Sequence, residues 1–496
     1  MAPEIEKKTI GRGAAYIYIE TLGAIISGYI FWIIMSKIAT TEIIGISSTV
    51  VSFAAIIAVI ANIGIPTGIQ RFIGKSFLEK NLEEAKQFVI SSLILVCIGI
   101  FACSVAILFA QYWFSSIFGF DFALIGVSIL LIGASVISML FRSIVISSMK
   151  TSSLPIIIIS SSIFKLVLAI VLVLMGTGAV GLTLGLTINH VLTSIFLGAV
   201  VITKIFKPSK LNFLPINFIH NSRKLLTSSS VFWGPFLITT LGSQLGTIVV
   251  FGSHGSSQAG VYFLALTIVT GLTSVMNSLF SIALPALSGL KDYRKRFAWE
   301  TIRLSAIILL PFSCSLIFYS SDIMRLLGDD YVKGSSILEI LLLSMLPMAI
   351  LSGINALVYS YGNYKQVLLI GLALSVPRTV LYIILVPLYG GMGAAMSYTL
   401  GSVIGCIVSI MIAKKIGMMI LWKILAIIFI IPTTIAFAVS SLHVNYVIGI
   451  IGTIVASYIV FLKVHVVTSS DLQDMMEVLP TRVSAPLNKI ITKLKK

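Results

Sequence analysis

The sequence predicts an all-α protein that crosses a membrane many times. The chain of 496 residues is 58% hydrophobic and only 10% charged, and its mean hydropathy is +1.09. A soluble chain would carry about 25% charged residues. The apolar residues are gathered into about fourteen segments, each long enough for a bilayer, which takes roughly 20 residues. Because a span in lipid must satisfy its own backbone hydrogen bonds, each segment is predicted to be a helix.

Basic residues mark the predicted topology. Of the 34 Lys and Arg residues, three (Lys37, Arg325 and Lys333) lie on one side, two (Lys165 and Arg378) lie inside spans, and the other 29 lie on the opposite side. Loops rich in Lys and Arg stay in the cytoplasm. We therefore expect a multi-pass protein of the cell membrane with both termini in the cytoplasm. The predicted spans are 13–37, 43–66, 88–111, 122–148, 154–176, 180–206, 226–251, 258–285, 299–320, 335–361, 365–388, 391–415, 418–441 and 443–466.

Composition excludes several classes of partner and cofactor. The net charge of +17 is explained by retention of basic loops and attraction to anionic lipids, and no basic run with interleaved aromatic residues indicates nucleic-acid binding. The four cysteines lie inside apolar segments without the spacing of metal ligands. The GxGxxG match at 176–181 follows a span without an acidic partner, so it does not indicate a dinucleotide site. We expect neither metal nor cofactor.

An internal repeat divides the chain. Spans five and six align without gaps on spans eleven and twelve at an offset of 212, which places Gly178 on Gly390 and Gly181 on Gly393. Six spans separate equivalent points, so the repeats are parallel and related by an axis along the membrane normal. The pattern predicts two pseudo-symmetric six-helix bundles, 1–206 and 226–415, joined by a cytoplasmic linker at 207–225. Two further spans at 416–466 and a basic cytoplasmic tail at 467–496 complete the chain.

Two cations within spans are the leading candidates for a binding site. Lys165 and Arg378 lie mid-span at nearly equivalent points of the repeat. Ionisable groups inside a membrane are costly and are usually functional. Two cations facing a central cavity would suit a phosphate.

Other polar residues within spans leave alternatives open. Glu20 could pair with Lys165 or Arg378, take up a coupling ion or proton, or serve as a structural partner for Arg12 or another basic residue near the inner face. His190, beside Asn189, could titrate near neutral pH or be a satisfied buried polar group. Gln244 and Asn277 could line the cavity or join helices through hydrogen bonds.

Short motifs in a characteristic order carry a family resemblance. They are Asn62-Ile-Gly-Ile-Pro-Thr-Gly followed by Gln70-Arg71-Phe72-Ile73, the Arg142–Lys150 stretch, and the Gly-x-x-Gly turns at 178–181 and 390–393. Together with the span count, they resemble polysaccharide flippases of the multidrug/oligosaccharidyl-lipid/polysaccharide (MOP) exporter superfamily, over residues 10–465. The resemblance implies a V-shaped pair of bundles around a cationic cavity. It also implies a substrate in which an oligosaccharide is linked to polyprenyl or dolichyl (pyro)phosphate, with the cavity cations on the phosphate. Arg71 lies in the family's motif at the inner face, where it could guide headgroups or anchor its loop, and we place it with Arg12 at the cytoplasmic entrance.

Three functions compete. The leading one is a flippase that moves a lipid-linked glycan precursor outward by alternating access, with an H⁺ or Na⁺ gradient as one way to drive it. The alternative is an ion-coupled multidrug antiporter, which would need acidic residues in the cavity, whereas the mid-span bases are prominent. A membrane enzyme would need a catalytic or metal site, commonly on a large outer loop, and the longest predicted outer loop, 321–334, is short. We expect a monomeric transporter and not an enzyme.

Overall fold

The computed structural model describes the backbone of residues 2–79, 81–206, 217–289 and 293–466. Side chains are described for the same residues except 2–14, 78, 113–114, 117–118, 231–232, 278–279 and 281–289. Throughout this part of the chain, every regular element is helical. The predicted tail at 467–496, and residues 207–216 of the predicted linker, lie outside the described residues.

Sixteen α-helices follow one another along the described chain. They are α1 (Ala2–Ile38), α2 (Thr41–Asn62), α3 (Ile65–Leu78), α4 (Leu82–Phe109), α5 (Gln111–Phe118), α6 (Phe122–Ser147), α7 (Leu154–Leu174), α8 (Gly178–Val200), α9 (Phe218–Gly289), α10 (Arg294–Phe318), α11 (Ser320–Leu327), α12 (Ser335–Leu342), α13 (Met345–Ser360), α14 (Tyr364–Ile416), α15 (Trp422–Ser441) and α16 (Tyr446–Lys463). Short 3₁₀ turns lie at Thr151–Ser153 and Asp329–Gly334, and a π-helical turn, Val201–Phe206, extends α8.

Two of the long helices are hairpins. The backbone is non-helical at Gly255 in α9 (φ 85°, ψ 177°) and at Gly390 in α14 (φ 56°, ψ −134°). Beyond each glycine the chain returns along itself. In α9 Gly246 lies against Tyr262, and in α14 Gly401 packs against the backbone of Leu374. Twelve candidate membrane spans lie in the described residues, and counting each hairpin as two spans raises the number to about fourteen. The predicted all-α polytopic class is confirmed.

The second predicted span ends earlier than hydropathy indicates. At its end, Ile63 and Gly64 have left-handed backbones (φ 48° and 71°), and the side-chain Oδ1 of Asn62 accepts a hydrogen bond from the Gly64 N–H at 2.8 Å. Pro66 lies in the first turn of α3, where a missing N–H costs nothing. The apolar run 43–66 is therefore broken, and α3 is a separate helix.

The two turns aligned by the repeat each contain a glycine with a left-handed φ at the equivalent position. Gly178 at the start of α8 and Gly390 in α14 both have positive φ, 61° and 56°, a conformation that costs glycine little. Three residues on, Gly181 and Gly393 pack closely on the preceding helical arm, at Leu172 and Leu385. Equivalent turns are what the proposed repeat requires, and its exact domain boundaries stay a prediction.

The helices pack in two groups. In the first group, α7 contacts α1 and α8, and α6 contacts α2, α3, α4 and α8. In the second, α9 and α13 contact each other and both contact α10 and α14, while α15 and α16 pack on α10. We call these the N-terminal and C-terminal bundles. The ends of α3 and α6 and the starts of α9 and α10 lie at one end of the molecule, which we call the basic end. The turn between α1 and α2 and the turns at Gly255 and Gly390 lie at the opposite end.

Close backbone packing joins the bundles at the opposite end. Gly45 of α2 lies against the backbone of Ser256 and Gly260 in α9, an approach that only a residue without Cβ permits. One turn away, the hydroxyls of Thr41 and Ser257 are 3.0 Å apart. We call this contact the seam.

A second group of contacts continues the seam toward the middle of the molecule. The Tyr29 hydroxyl of α1 donates to the carbonyls of Thr267 and Ile268, at 2.6 and 2.8 Å. The rings of Trp32 and Phe263 meet edge to face with centroids 4.8 Å apart. The bundles are thus closed on each other at this end.

Gly45→Val should prevent the seam from closing, because the added side chain would overlap the Ser256 carbonyl. We expect a Thr41→Cys/Ser257→Cys pair to form a disulfide readily when Gly45 is present and much more slowly with Gly45→Val, as followed by mobility on gels after mild oxidation. Gly28→Val is the control, since a Cβ at Gly28 meets no neighbour within 4 Å. Equal cross-linking in both variants would contradict the seam.

Candidate functional site

A cavity between the bundles at the basic end is lined by both basic and apolar residues. Its volume is about 840 Å³, within the usual range of ligand pockets, about 300–1,000 Å³. We call it the mouth pocket. It is lined by Thr67, Gly68, Arg71, Phe72, His220, Arg223, Lys224, Thr227, Ser228 and Tyr359.

The mouth pocket is strongly cationic. Arg71, Arg223 and Lys224 are exposed on its wall, and none of its lining residues is acidic. Among the described residues, no carboxylate lies within ion-pair distance of these three side chains. Their charges are therefore available to an anionic ligand.

Two helical faces form this pocket. In α3 the lining residues lie three and four positions apart, as Thr67, Gly68 and Arg71 illustrate, and in α9 they run from 220 to 228 with the same spacing, so each set shares one face of its helix. The helices come close because Gly64 and Gly68 lie against Ser229. The left-handed turn before α3 thus aims the Arg71 face at α9.

A smaller cavity lies inside the N-terminal bundle. It has a volume of about 240 Å³ and is lined by Ala24, Ser27, Ser138, Met139, Arg142, Ile158, Ser162, Lys165, Asn189, His190 and Thr193. Lys165 is buried, at 7% exposure, with its Nζ 4.8 Å from the centroid of the Phe31 ring. His190 Nδ1 is 3.4 Å from Ser138 Oγ. We call this space the bundle cavity.

Glu20 is paired with a basic residue of the neighbouring helix. The Nε and Nη2 of Arg142 donate to its two carboxylate oxygens at 2.7 and 2.8 Å. Glu20 is buried, while 38% of the Arg142 side chain is exposed. Such a bidentate bond fixes both side chains. Of the partners considered for Glu20, the structure therefore selects a basic residue of α6, and neither Lys165 nor Arg378.

Arg378 is buried inside the C-terminal bundle and bonded to the second arm of α14. Its Nε donates to the Tyr398 carbonyl at 3.1 Å and its Nη2 to Ser402 Oγ at 2.6 Å. The guanidinium also lies 3.7 Å from the centroid of the Tyr398 ring, a cation–π contact. Arg378 does not line the cavity that contains Lys165. Phosphate binding by this pair stays a prediction.

The other predicted site residues lie apart from one another. Gln244 is half-buried in α9, and the exposed Asn277 accepts a hydrogen bond from Ser352 at 3.4 Å. The side chain of Arg12 lies outside the described residues.

Sequence reasoning missed the role of Arg142 and of the α9 face. Arg142 lies well inside the predicted span 122–148, which could have marked it as a third cation within the membrane. The sequence places residues 220–225 in the linker and 226–228 at the start of the next span, although His220, Arg223 and Lys224 have helical spacing.

A multi-pass membrane protein built from helical bundles is the class that this fold defines. The family model described as "Polysaccharide biosynthesis protein" matches residues 10–291, which is more than half of the chain. The chain therefore belongs to the polysaccharide biosynthesis protein family, as its motifs predict. No curated protein matches it in sequence.

Solved structures share the fold at low sequence identity. A lipid II flippase, MurJ, in an inward closed conformation matches with a TM-score of 0.69 and 18% identity, covering 89% of this chain and 97% of that one. An inward-facing multidrug resistance MATE family transporter of the MOP superfamily matches with a TM-score of 0.60 and 16% identity, over 80% and 94%. A MOP superfamily transporter from Pyrococcus furiosus, described as having a binding pocket of reverse polarity, matches at 0.58 and 16%, over 82% and 95%. The fold is that of these transporters.

The Glu20–Arg142 pair should be energetically coupled. Glu20→Gln and Arg142→Gln should each lower the free energy of unfolding by about 1–2 kcal/mol, a figure reduced for the exposure of Arg142, and the double variant should lose clearly less than the two losses combined. This double-mutant cycle is measured by equilibrium unfolding in mixed detergent. The control is the exposed pair Arg296 and Glu300, whose atoms are 3.0 Å apart, where a smaller coupling is expected. Additive losses at Glu20 and Arg142 would contradict a structural pair.

Proposed function

We propose that this protein is a flippase, which moves a lipid-linked oligosaccharide or polysaccharide precursor from the cytoplasmic to the outer leaflet of the cell membrane by alternating access. The basic end is then the cytoplasmic side, as the distribution of Lys and Arg favours. The proposal places the pyrophosphate of the substrate in the mouth pocket and its lipid tail in the surrounding bilayer.

The cationic mouth pocket is the observation that carries this proposal. A pyrophosphate is multiply charged and planar guanidinium groups bind phosphate oxygens in pairs, which suits Arg71 and Arg223 on facing helices. The hydroxyls of Thr67, Thr227 and Ser228 offer hydrogen bonds to sugar groups. A sugar headgroup needs such a lining, because its hydroxyls would be left unsatisfied in hydrocarbon.

The position of the pocket supports a transport step as well as binding. It lies between the two bundles at the basic end, while the seam closes the bundles at the other end. Parting the seam and closing the mouth would present the headgroup to the outer side. The smaller bundle cavity, at about 240 Å³, falls below the usual size of a pocket for such a ligand.

The same features disfavour an ion-coupled antiporter of organic cations. Cation binding needs available carboxylates, and of the acidic residues that the structure describes only Glu20 is buried. Its two oxygens are bonded to Arg142. Coupling of flipping to an H⁺ or Na⁺ gradient stays a prediction, as do the monomeric state and the cytoplasmic position of both termini.

Removing one charge from the mouth pocket should slow flipping. In proteoliposomes with a fluorescent polyprenyl-pyrophosphate oligosaccharide, Arg71→Gln and Arg223→Gln should each lower the rate about tenfold or more, because each loses a charged hydrogen bond to phosphate. The protein should remain folded, since these side chains are exposed.

Lys75→Gln is the matched control for this experiment. Lys75 lies one turn along α3, exposed and 3.7 Å from Glu79, outside the pocket lining. It should leave flipping within about twofold of the wild type, since exposed ion pairs contribute little. Wild-type rates in the Arg71 variant would refute the proposed site. Export of organic cations by a protein that does not flip the lipid would favour the antiporter.

A further inference from the structure

Lys165 is a buried ammonium group without a counter-ion. Among the described residues, no carboxylate lies within ion-pair distance of its Nζ and no group accepts a hydrogen bond from it. Its Nζ lies over the face of the Phe31 ring, 4.8 Å from the centroid. A cation–π contact of this kind is worth about 0.5–2 kcal/mol, whereas an unpaired charge among apolar helices costs several.

The charges around the bundle cavity do not cancel within the bundle. Arg142 also lines it, but both oxygens of Glu20 are already bonded to its Nε and Nη2. Counting Lys165, Arg142 and Glu20, one positive charge remains uncompensated. His190, the other titratable residue on the wall, can only add positive charge.

Two hydrogen-bond donors on the remaining wall have no acceptor among the described residues. They are the hydroxyl of Ser162 and the side-chain amide of Asn189, whereas the hydroxyls of Ser27, Ser138 and Thr193 already donate to other protein groups. Its volume of about 240 Å³ corresponds to roughly eight water molecules at ~30 Å³ each. The space is large enough for one small ion with part of its hydration.

We propose that the bundle cavity is a binding site for one small monovalent anion, a halide or a short carboxylate, held against Lys165 Nζ. The anion would neutralise the uncompensated charge, and the hydroxyl and amide donors would replace part of its hydration shell. This site is separate from the mouth pocket in lining, volume and location, so it stands whether or not the mouth pocket binds pyrophosphate.

The site can be tested on purified protein without any transport assay. Binding to the folded state alone raises thermal stability with anion concentration. The quantity to measure is the rise in melting temperature when sodium gluconate, which has a bulky anion, is replaced by sodium chloride at equal concentration. We expect this rise to be larger for the wild type than for Lys165→Met by about 2 °C or more. Sodium acetate in place of chloride tests a carboxylate ligand.

Lys150→Met is the control, because Lys150 belongs to the same bundle but is exposed and outside the cavity. It should keep the wild-type difference. In gluconate, Lys165→Met should be at least as stable as the wild type, since an apolar side chain removes an uncompensated buried charge. An equal chloride effect in the wild type and Lys165→Met would overturn the proposal.

A second measurement uses only the wild-type protein, so it does not depend on whether a variant folds. Crystals of the wild type grown with bromide in place of chloride should show an anomalous peak beside Lys165 Nζ. A peak confined to the mouth pocket or to exposed lysines, with none in the bundle cavity, would refute the site.

Discussion

The cost of charge among apolar helices governs this structure. The described part of the chain buries four charged side chains, and three of them have bonded partners that offset the cost. Glu20 has a bidentate partner in Arg142, and Lys86 reaches Glu83 at 3.7 Å near the start of α4. Arg378 is satisfied by a carbonyl, a hydroxyl and an aromatic face. Only Lys165 has neither an acid nor an acceptor, and it is the one that borders the bundle cavity.

Whether a cation is bonded within the protein also separates structural residues from those of the binding surface. Arg378 ties the two arms of the α14 hairpin together, and Gly401 makes room for it by lying against its side-chain stem. Arg71, Arg223 and Lys224 are instead exposed in a space between the bundles, where nothing in the described protein satisfies them. Buried and bonded cations hold helices in place, whereas exposed and unpaired cations on facing helices can exchange one ligand for another.

Much of the fold follows from the sequence because a bilayer leaves few choices. About 20 apolar residues in a row have to be a helix, and the glycines at 255 and 390 fall in the gaps between predicted spans, where the chain has to turn. Pairings between distant residues are different. Glu20 and Arg142 are 122 positions apart, and nothing local to either residue identifies the other.

In the candidate site, too, local features can be predicted from the sequence, whereas contacts between distant residues cannot. Arg71 can be assigned to the entrance from its motif and its place in the topology. Its partners on α9 depend on the left-handed turn at Ile63 and Gly64 and on the close approach at Ser229, which are features of tertiary packing. Position in the middle of a span does not by itself distinguish Arg378, which joins the two arms of the α14 hairpin, from Lys165, which lines a cavity.

The glycine contact at the seam affects how readily the bundles can separate. At Gly45 and Gly260 backbone lies against backbone, so α2 and α9 can part at this point without a change of side-chain rotamer. The carbonyl and hydroxyl groups that become exposed, such as those of Thr41 and Ser257, can be hydrated at once. The resistance of the seam to opening therefore comes mainly from Tyr29 and Trp32, whose contacts with α9 have to be broken, and not from side chains at the glycine contact.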